Sequence, residues 1–430
     1  MKTINRNIEK YIEKIILIFI LIQPILDLSA GILQNILKIN ITISSIIRLI
    51  FLIFCLYYTI VLNKTKEKKK SILLTTTILI YITLFALTTI KYKDIHALTY
   101  ELKNTINTFY LPIILIALKD MFTQYNIKIK TKTIICTYMT YIILILIPNI
   151  TNTGFQSYAI SKLGSSGWFT SANAVGNILS ILLPTMILYL LNNKNKTKTF
   201  LIIISILYVF LSIGTKVPIL SLIICVITTL FFYIIKWIKN KEKKKLLIAA
   251  LATVFLILTT IIILPKTSFY KNIQIHKEYL GFKNYTEVFT NYKLLDHFVF
   301  SERLTFLNNT RKNYEKASII EKAIGIGYIE NYGTNKVSTK TIEIDYFEIL
   351  FRNGIIGFII FFTVLIPIII KKIKEKEKTL ENIETKLSIV LILLLSLFSG
   401  HILITPAVSI FVAIILIKEQ GGLYEKTKER

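Results

Sequence analysis

Long apolar runs alternate with short charged segments along almost the whole chain. A bilayer core of about 30 Å needs roughly 20 apolar residues per helix, and runs of this kind recur between the charged segments. The pattern therefore predicts an all-α polytopic membrane protein with about twelve transmembrane helices. The predicted spans are 15–33, 44–62, 71–90, 105–118, 134–150, 173–191, 199–213, 217–235, 246–264, 346–370, 387–400 and 403–418. The fourth span and the last two are short, so we expect tilted or broken helices there.

The composition agrees with a membrane protein. Hydrophobic residues make up 53% of the 430 positions, and the mean hydropathy is +0.61. The first apolar run contains Gln23, Pro24 and Asp27 and has no small-residue cleavage site behind it. It is therefore predicted to remain as a helix rather than to be removed as a signal peptide.

The net charge of +27 is concentrated in a few lysine-rich segments. These segments fall on alternate connections between apolar runs, so they all lie on one side of the membrane. By the positive-inside rule that side is the cytoplasm, and the rule places both termini there as well. Topology and attraction to anionic lipid account for the excess charge, so no nucleic-acid partner is predicted. The lysine-rich segments are 63–70, 192–199, 236–245 and 371–378.

This topology divides the chain into three parts. We expect an N-terminal transmembrane bundle of nine helices over 1–264, and three C-terminal helices with a cytoplasmic tail over 346–430. Between them, 265–345 forms one large loop outside the membrane, in which aromatic, charged and apolar residues recur at helical spacing. Loops of this length without a disorder-type composition are usually functional. Short helices that cap an outward-facing cavity are the predicted structure.

Several classes of chemistry lack their sequence signatures. The three cysteines lie in predicted helices, which leaves no disulfide framework outside the membrane. With four histidines and neither a CxxC nor an HExxH motif, no metal site is predicted. There is no P-loop motif, so ATP is not expected to drive the reaction.

Three carboxylates and an arginine stand at the mouth of an apolar run, in "EIDYFEILFRNGIIGFIIFF" (343–362). On a helix Asp345, Glu348 and Arg352 share one face, because their spacings are three and four. Buried charge is costly, so this face should meet protein or water rather than lipid. A structural ion pair explains Glu348 and Arg352 at least as well as a functional role does. Asp345, one turn nearer the water, is less well explained by pairing.

Two glycines in "GIGY" (325–328) mark a place where the backbone turns or closely approaches another group. Such a segment could cradle a phosphate. A GxG pattern is weak evidence for that, and an ordinary turn is the favoured interpretation.

The order of several motifs resembles the O-antigen ligase and O-antigen polymerase superfamily. The resemblance rests on "SERLTF" with Arg303 in the long loop, then "GIGY", then "EIDYFEILFRNGIIGF". Four other segments agree in matching order: "QPILD" (23–27), "GWFTSANAVGNILSILLP" (167–184), "GTKVPIL" (214–220) and "SGHILITPAVS" (399–409). The chain is thus similar to the Gram-positive exopolysaccharide and teichuronic acid polymerases of that superfamily.

The resemblance implies a fold and an activity. It implies about twelve helices in a glycosyltransferase C-type architecture, in a bacterial plasma membrane with the active site on the outer face. The implied enzyme is an inverting, metal-independent glycosyltransferase without a cofactor, which polymerises polyprenyl-diphosphate-linked repeat units into a cell-surface polysaccharide. Its partners would be that glycan donor, a glycan acceptor and membrane lipid, and it could work with a flippase and a chain-length regulator.

Two other functions stay open at this stage. A ligase of the same family would transfer finished glycan to a wall or lipid acceptor. A flippase or other transporter of lipid-linked oligosaccharide would share the helix count, but it needs no large external loop and often shows inverted repeats.

The resemblance also implies roles for individual residues. Arg303 and Lys216 would hold the diphosphate leaving group, which needs positive charge. Asp345 stands where the ligases carry histidine and would deprotonate the acceptor hydroxyl, with Glu343 as the other candidate base. The remaining candidates for substrate binding are Arg311, Arg352, His401, Asn173 and Asp27. His401 and Asp27 suit structural hydrogen bonds equally well, and Asn173, which shares a helix face with Asn177, also suits a contact between helices.

Overall fold

The computed structural model describes residues 2–39, 43–93, 95–157, 163–242, 262–329, 341–375 and 380–418. Within these ranges the chain is largely helical and contains no β-strand, apart from one isolated bridge between Gln156 and Ser165. The predicted all-α fold is confirmed.

Sixteen α-helices follow one another in the described ranges. The first eight are α1 (Lys2–Asn35), α2 (Ile43–Tyr57), α3 (Lys68–Tyr92), α4 (Leu98–Tyr125), α5 (Thr131–Ile150), α6 (Ala172–Asn192), α7 (Lys196–Ile213) and α8 (Lys216–Lys239). Five short helices then belong to the 265–345 segment: α9 (Ser268–Leu280), α10 (Tyr285–Thr290), α11 (Tyr292–Leu295), α12 (Arg303–Lys316) and α13 (Ile319–Ile324). The last three are α14 (Asp345–Lys374), α15 (Leu380–Phe398) and α16 (Pro406–Ile417).

The long helices agree with the predicted spans. Nine helical segments of the described ranges are long and apolar enough to cross a membrane, and they match the first eight predicted spans and the tenth. Helices α15 and α16 lie where the last two spans are predicted. The predicted ninth span, 246–264, lies outside the described residues except at its end. The protein is therefore a multi-pass membrane protein.

The fourth helix is longer than its apolar run predicts. The prediction covers 105–118, whereas α4 has 28 residues. Its first turns carry Glu101, Thr105 and Thr108, which are all buried inside the protein. Polar groups that face protein instead of lipid do not end a membrane helix. The apolar run therefore marks only the central part of α4.

Helices α4 and α16 lie at the centre of the bundle. Every residue from 108 to 118 in α4 and from 407 to 417 in α16 is buried, and the two helices pack against each other. A helix that is apolar on all sides is stable in such an interior. The outer helices instead expose large apolar side chains, such as Leu73 on α3 and Phe231 on α8, as contact with lipid requires.

The connections between helices gather at two ends of the bundle. At one end, Glu67 pairs with Lys119, and Lys372 donates a hydrogen bond of 2.8 Å to the Lys418 carbonyl. This end carries the lysine-rich segment 63–70 and the described part of 371–378. At the other end, the 265–345 segment packs over the helices, where Arg303 donates to the Phe398 carbonyl over 3.0 Å. We call this second end of the bundle the capped end.

Helix α14 is broken at Gly354, whose φ of 65° and ψ of 179° are not helical. The break frees two carbonyls: Ile326 donates to the Phe351 oxygen and Gly327 to the Arg352 oxygen, each over 3.1 Å. The "GIGY" segment is thereby joined to the first part of α14. This first part, 345–353, carries the charged residues, and the apolar part follows the break.

We expect Gly354→Ala to lower the thermal stability markedly. The backbone there lies in a region that glycine alone adopts readily, and an added Cβ would lie 2.5 Å from the Ala323 oxygen. The strain should cost about 1–3 kcal/mol. The matched control is Gly281→Ala, which has a φ of 70° but no atom within 4 Å of an added Cβ. Thermal unfolding of both variants in nanodiscs measures the difference, and equal melting temperatures would contradict the role of the break.

Candidate functional site

Arg303, Glu343 and His401 form a charged cluster at the capped end. Two nitrogens of Arg303 donate to Glu343 Oε2, Nη2 over 2.7 Å and Nε over 3.2 Å. His401 Nε2 lies 3.7 Å from Glu343 Oε1. The side chains are 11%, 25% and 26% exposed, respectively, so each of them is accessible in part. The cluster joins groups from the start of α12, from the residues before α14 and from the turn between α15 and α16.

A buried carboxylate fixes the start of α12 and with it Arg303. Asp296 Oδ1 accepts a hydrogen bond of 2.8 Å from the Leu304 amide, and Oδ2 accepts bonds from the Thr305 amide and hydroxyl over 2.9 and 2.6 Å. These are the amide groups that a helix start leaves without a partner within the helix. Arg303 is therefore held at the first turn of a capped helix.

Glu343 and His401 both have left-handed backbones, with φ values of 57° and 60°. Ser301 and Glu302, directly before Arg303, also have positive φ values of 53° and 69°. This conformation is uncommon for residues with a Cβ, and it persists where the surrounding structure enforces it. Such residues concentrate at functional sites, and here they adjoin all three members of the charged cluster.

Asp345 lies next to the cluster but does not open toward it. The residue is fully buried, and Oδ1 accepts a hydrogen bond of 2.7 Å from the His401 amide. Oδ2 accepts bonds of 2.9 and 2.8 Å from the amides of Ile402 and Leu403. The carboxylate thus orders the turn that carries His401.

Asn177 of α6 supports the same turn from the other side. Its Nδ2 donates to the Gly400 carbonyl over 2.9 Å, and its Oδ1 accepts from the Ser399 hydroxyl over 3.2 Å. Asn173, one helical turn earlier, is half-buried and makes no side-chain hydrogen bond within the described part of the chain.

The two titratable groups of the cluster shift each other's pKa. Burial alone would raise the pKa of Glu343, but the charges of His401 and Arg303 outweigh burial and lower it to about 2. Burial would likewise lower the pKa of His401, but the contact with Glu343 and the nearby carboxylates raise it. At neutral pH Glu343 is therefore an ionised carboxylate, and its charge favours the protonated form of His401.

A cavity of about 260 Å³ opens beside the cluster, with His401 in its wall. Its wall also includes Arg48 of α2 and Asp27 of α1, joined by an ion pair of 2.6 Å. Arg48 also donates twice to Gln23 Oε1, over 2.8 and 3.1 Å. Asp27 Oδ2 accepts a bond of 2.7 Å from the Tyr141 hydroxyl. These contacts fix both charged side chains in place at the wall.

Lys216 begins α8 and contacts the 265–345 segment. Its ammonium group donates to the Phe298 carbonyl and lies 4.9 Å from the centre of the Phe298 ring. Arg303 approaches the same turn, because its Nη1 lies 3.5 Å from the Phe300 oxygen. Lys216 and Arg303 therefore hold neighbouring carbonyls of one turn.

Two arginines from the sequence prediction lie apart from the cluster. Arg311 is exposed on α12 and forms an ion pair of 2.7 Å with Glu315. Arg352 is 1% exposed, with Glu348 at 3.6 Å and the Gly327 carbonyl at 3.0 Å. The arrangement of Glu348 and Arg352 agrees with the structural ion pair that was the alternative for them.

The last amide of the "GIGY" segment and the amide that follows it already bind a carboxylate, and the other three amides donate to backbone carbonyls. Both oxygens of Glu101, which is fully buried, accept from the Tyr328 amide, and Oε1 also accepts from the Ile329 amide. Lys93 lies 2.5 Å from the same oxygen. This geometry anchors a turn to α4 and uses the amides that a phosphate would need.

Sequence reasoning missed Arg48 and Glu101. Arg48 is visible in the sequence as a lone cation inside the second apolar run, which is a signal for a functional residue. Glu101 precedes the fourth apolar run and gave no such signal. Among the described residues, no group of three or more His, Cys, Asp or Glu side chains could hold a metal ion.

A family model described as "O-antigen ligase like membrane protein" matches residues 9–288 and 285–418. The chain belongs to this family. No curated protein and no solved structure matches the chain at a significant level. Membership in the family indicates a membrane enzyme that transfers glycans, with lipid-linked glycans as substrates. The resemblance read from the ordered motifs is confirmed.

We expect Asp345→Asn and Glu343→Gln to differ in their effect on stability. The first change would present a neutral amide to backbone donors that now bind a buried carboxylate, at a cost of at least about 2 kcal/mol. Glu343→Gln alters an ion pair that water reaches in part, so it should cost less than Asp345→Asn. Intrinsic-fluorescence melting in detergent compares the two. A larger loss of stability for Glu343→Gln would show that Glu343, and not Asp345, is the structural carboxylate.

Proposed function

We propose that this protein polymerises polyprenyl-diphosphate-linked oligosaccharide repeat units into a cell-surface polysaccharide. The observation that carries the proposal is the cluster of Arg303, Glu343 and His401 beside a cavity with both polar and apolar lining residues at the capped end of the bundle. In the proposed reaction, the growing chain leaves one carrier and joins the terminal sugar of a repeat unit on another.

The outer face of the membrane is the proposed side of the site. The lysine-rich segment 63–70 and the described part of 371–378 lie at the end of the bundle opposite to the capped end, and such segments stay in the cytoplasm. On this assignment both termini are cytoplasmic. The 265–345 segment is then the external part between an N-terminal bundle, 1–264, and the C-terminal helices, 346–430.

Cations at the cluster support transfer from a diphosphate carrier. Breaking the bond between the anomeric carbon and the phosphate oxygen leaves negative charge on the diphosphate, and fixed positive charge stabilises it. Arg303 offers a planar fork of donors for phosphate oxygens, and the nearby carboxylates raise the pKa of His401, which favours its protonated form. Lys216 lies against the same turn as Arg303 and adds a further positive charge.

Glu343 is the carboxylate that we assign as the base. It is partly exposed and bound by side chains, whereas Asp345 is buried and saturated by three backbone amides. In the reaction the acceptor oxygen attacks the anomeric carbon and its proton passes to Glu343. The electron pair of the broken bond stays on the diphosphate. A single displacement of this kind inverts the configuration at the anomeric carbon.

Binding of the donor would adjust the basicity of Glu343. In the free protein Arg303 and His401 hold its pKa at about 2, which makes it a weak base. A diphosphate that draws these two cations toward its own oxygens removes part of their effect, so the pKa of Glu343 rises. The base would then gain strength only when the donor is in place.

A reconstituted assay tests the proposal. Purified protein in nanodiscs, given polyprenyl-diphosphate-linked repeat units from its host, should produce a ladder of lengthened glycans. Glu343→Gln should slow the ladder by at least about 100-fold, the usual contribution of a general base. Arg303→Ala should slow it by about 100-fold to 1,000-fold through loss of charge stabilisation. The matched control is Arg311→Gln, which removes an exposed arginine of α12 and should leave the rate unchanged.

The products also separate polymerisation from related activities. Transfer of finished glycan to a wall or lipid acceptor without a ladder would identify a ligase. Unreacted repeat units with correctly folded protein would overturn glycan transfer altogether.

We expect donor binding to weaken at alkaline pH. The nearby carboxylates raise the pKa of His401, so its imidazole keeps its charge to a higher pH than an ordinary histidine does, and that charge is lost as the pH rises through the folded-state pKa. The donor KM should therefore increase as the pH rises above the usual histidine range, whereas in His401→Gln it should be higher and nearly constant. Initial rates at varied donor concentration measure this dependence. If the donor KM of His401→Gln rises with pH as it does in the wild type, another group causes the weaker binding at alkaline pH.

A further inference from the structure

We infer that the cavity lined by Arg48 and Asp27 binds an uncharged sugar, namely the terminal residue of the acceptor glycan. The inference rests on the proposed function, because it assigns the second substrate of the same reaction. It adds a binding site on α1 and α2, far in sequence from the charged cluster.

The guanidinium of Arg48 has one nitrogen that is available to a ligand. The residue is 9% exposed, and its Nε and Nη2 are occupied by Gln23 and Asp27. Its Nη1 makes no hydrogen bond in the part of the chain that the structure describes. Arg48 belongs to the cavity wall, so this group is available to an oxygen atom of a bound molecule. A guanidinium held by two neighbours binds such an oxygen with little loss of side-chain freedom.

The charge balance favours a neutral ligand over a phosphate. Asp27 lies 2.6 Å from Arg48 and offsets its charge, and it belongs to the same wall. A diphosphate there would meet a carboxylate that repels it. Sugar hydroxyls both donate and accept hydrogen bonds, so they suit a wall that offers a guanidinium and a carboxylate side by side. The exposed Gln34 and Thr170 add further polar groups at the wall.

The position of the cavity fits the reaction. His401 forms part of its wall and lies 3.7 Å from Glu343, so a sugar in the cavity lies beside the proposed base. The volume of about 260 Å³ is close to the lower limit of roughly 300 Å³ for small-molecule pockets, which suits one sugar residue rather than a chain. The cavity therefore holds the acceptor end, and within the cluster His401 and Glu343 connect it to Arg303.

Two probes distinguish acceptor binding from diphosphate binding. The first is a repeat-unit glycoside with a short alkyl group in place of the polyprenyl diphosphate, which can accept a glycan but cannot donate one. The second is inorganic diphosphate as a competitor of the donor. Arg48→Gln should raise the KM for the glycoside by about tenfold or more, the effect of losing one charge-assisted hydrogen bond, and leave inhibition by diphosphate unchanged.

A second variant covers the case in which Arg48→Gln does not fold, since it leaves Asp27 without its partner. Ala174→Leu narrows the cavity and alters no charge, and it should weaken binding of the glycoside by a similar factor. The matched control is Ala86→Leu on α3, whose side chain is half-buried away from the cavity. Weaker inhibition by diphosphate in either cavity variant, with an unchanged glycoside KM, would assign the cavity to the donor and overturn the inference.

A binding measurement separates this inference from the proposed function. Saturation-transfer NMR detects the alkyl glycoside on the protein in nanodiscs without any turnover. Binding that is lost in Ala174→Leu supports the sugar site even if no ladder forms, in which case the proposed polymerisation fails alone. A ladder in the reconstituted assay with glycoside binding equal in wild type and Ala174→Leu would leave the polymerase in place and overturn the sugar site.

Discussion

Three backbone amides that donate to one buried carboxylate hold the candidate site together. Asp345 begins α14, and the amides it binds belong to residues 401–403, between α15 and α16. Glu343 lies two positions before the carboxylate, and His401 carries the first of the three amides. The relative position of these two side chains therefore depends on Asp345. A charge in an interior of low dielectric constant makes such hydrogen bonds strong, provided that every acceptor is used.

Buried carboxylates also bind backbone amides at two other places where connecting segments meet the helices. Asp296 binds the amides at the start of α12, and Glu101 binds those of the "GIGY" turn. A buried carboxylate whose oxygens accept backbone N–H groups is fixed, because its partners cannot rotate away. Glu343 differs from these acids, since its partners are the side chains of Arg303 and His401. Flexible partners can turn toward a substrate, which is the physical reason to assign the chemistry to Glu343.

The sequence predicts the helices well and the partners of the charged residues poorly. Lipid demands about 20 apolar residues per crossing, so spans can be predicted from local composition alone. The pairing of Asp345 with residues 56 to 58 positions later is tertiary, and no local pattern contains it. Glu343 and Asp345 are two positions apart, and only the packing decides which of them is buried. Arg48 could have been selected from the sequence, because a cation within an apolar run is rare.

The break at Gly354 has a consequence for how the protein responds to its membrane. The apolar part of α14 follows the bilayer, whereas residues 345–353 are tied to the "GIGY" turn and to residues 401–403. A thicker or thinner bilayer changes the tilt of a helix that crosses it. An unbroken α14 would tilt as one rigid body, and Asp345 at its end would move with it. Because the helix is interrupted at residue 354, we expect the geometry around Glu343 to depend less on the thickness of the surrounding lipid than it would with an unbroken helix.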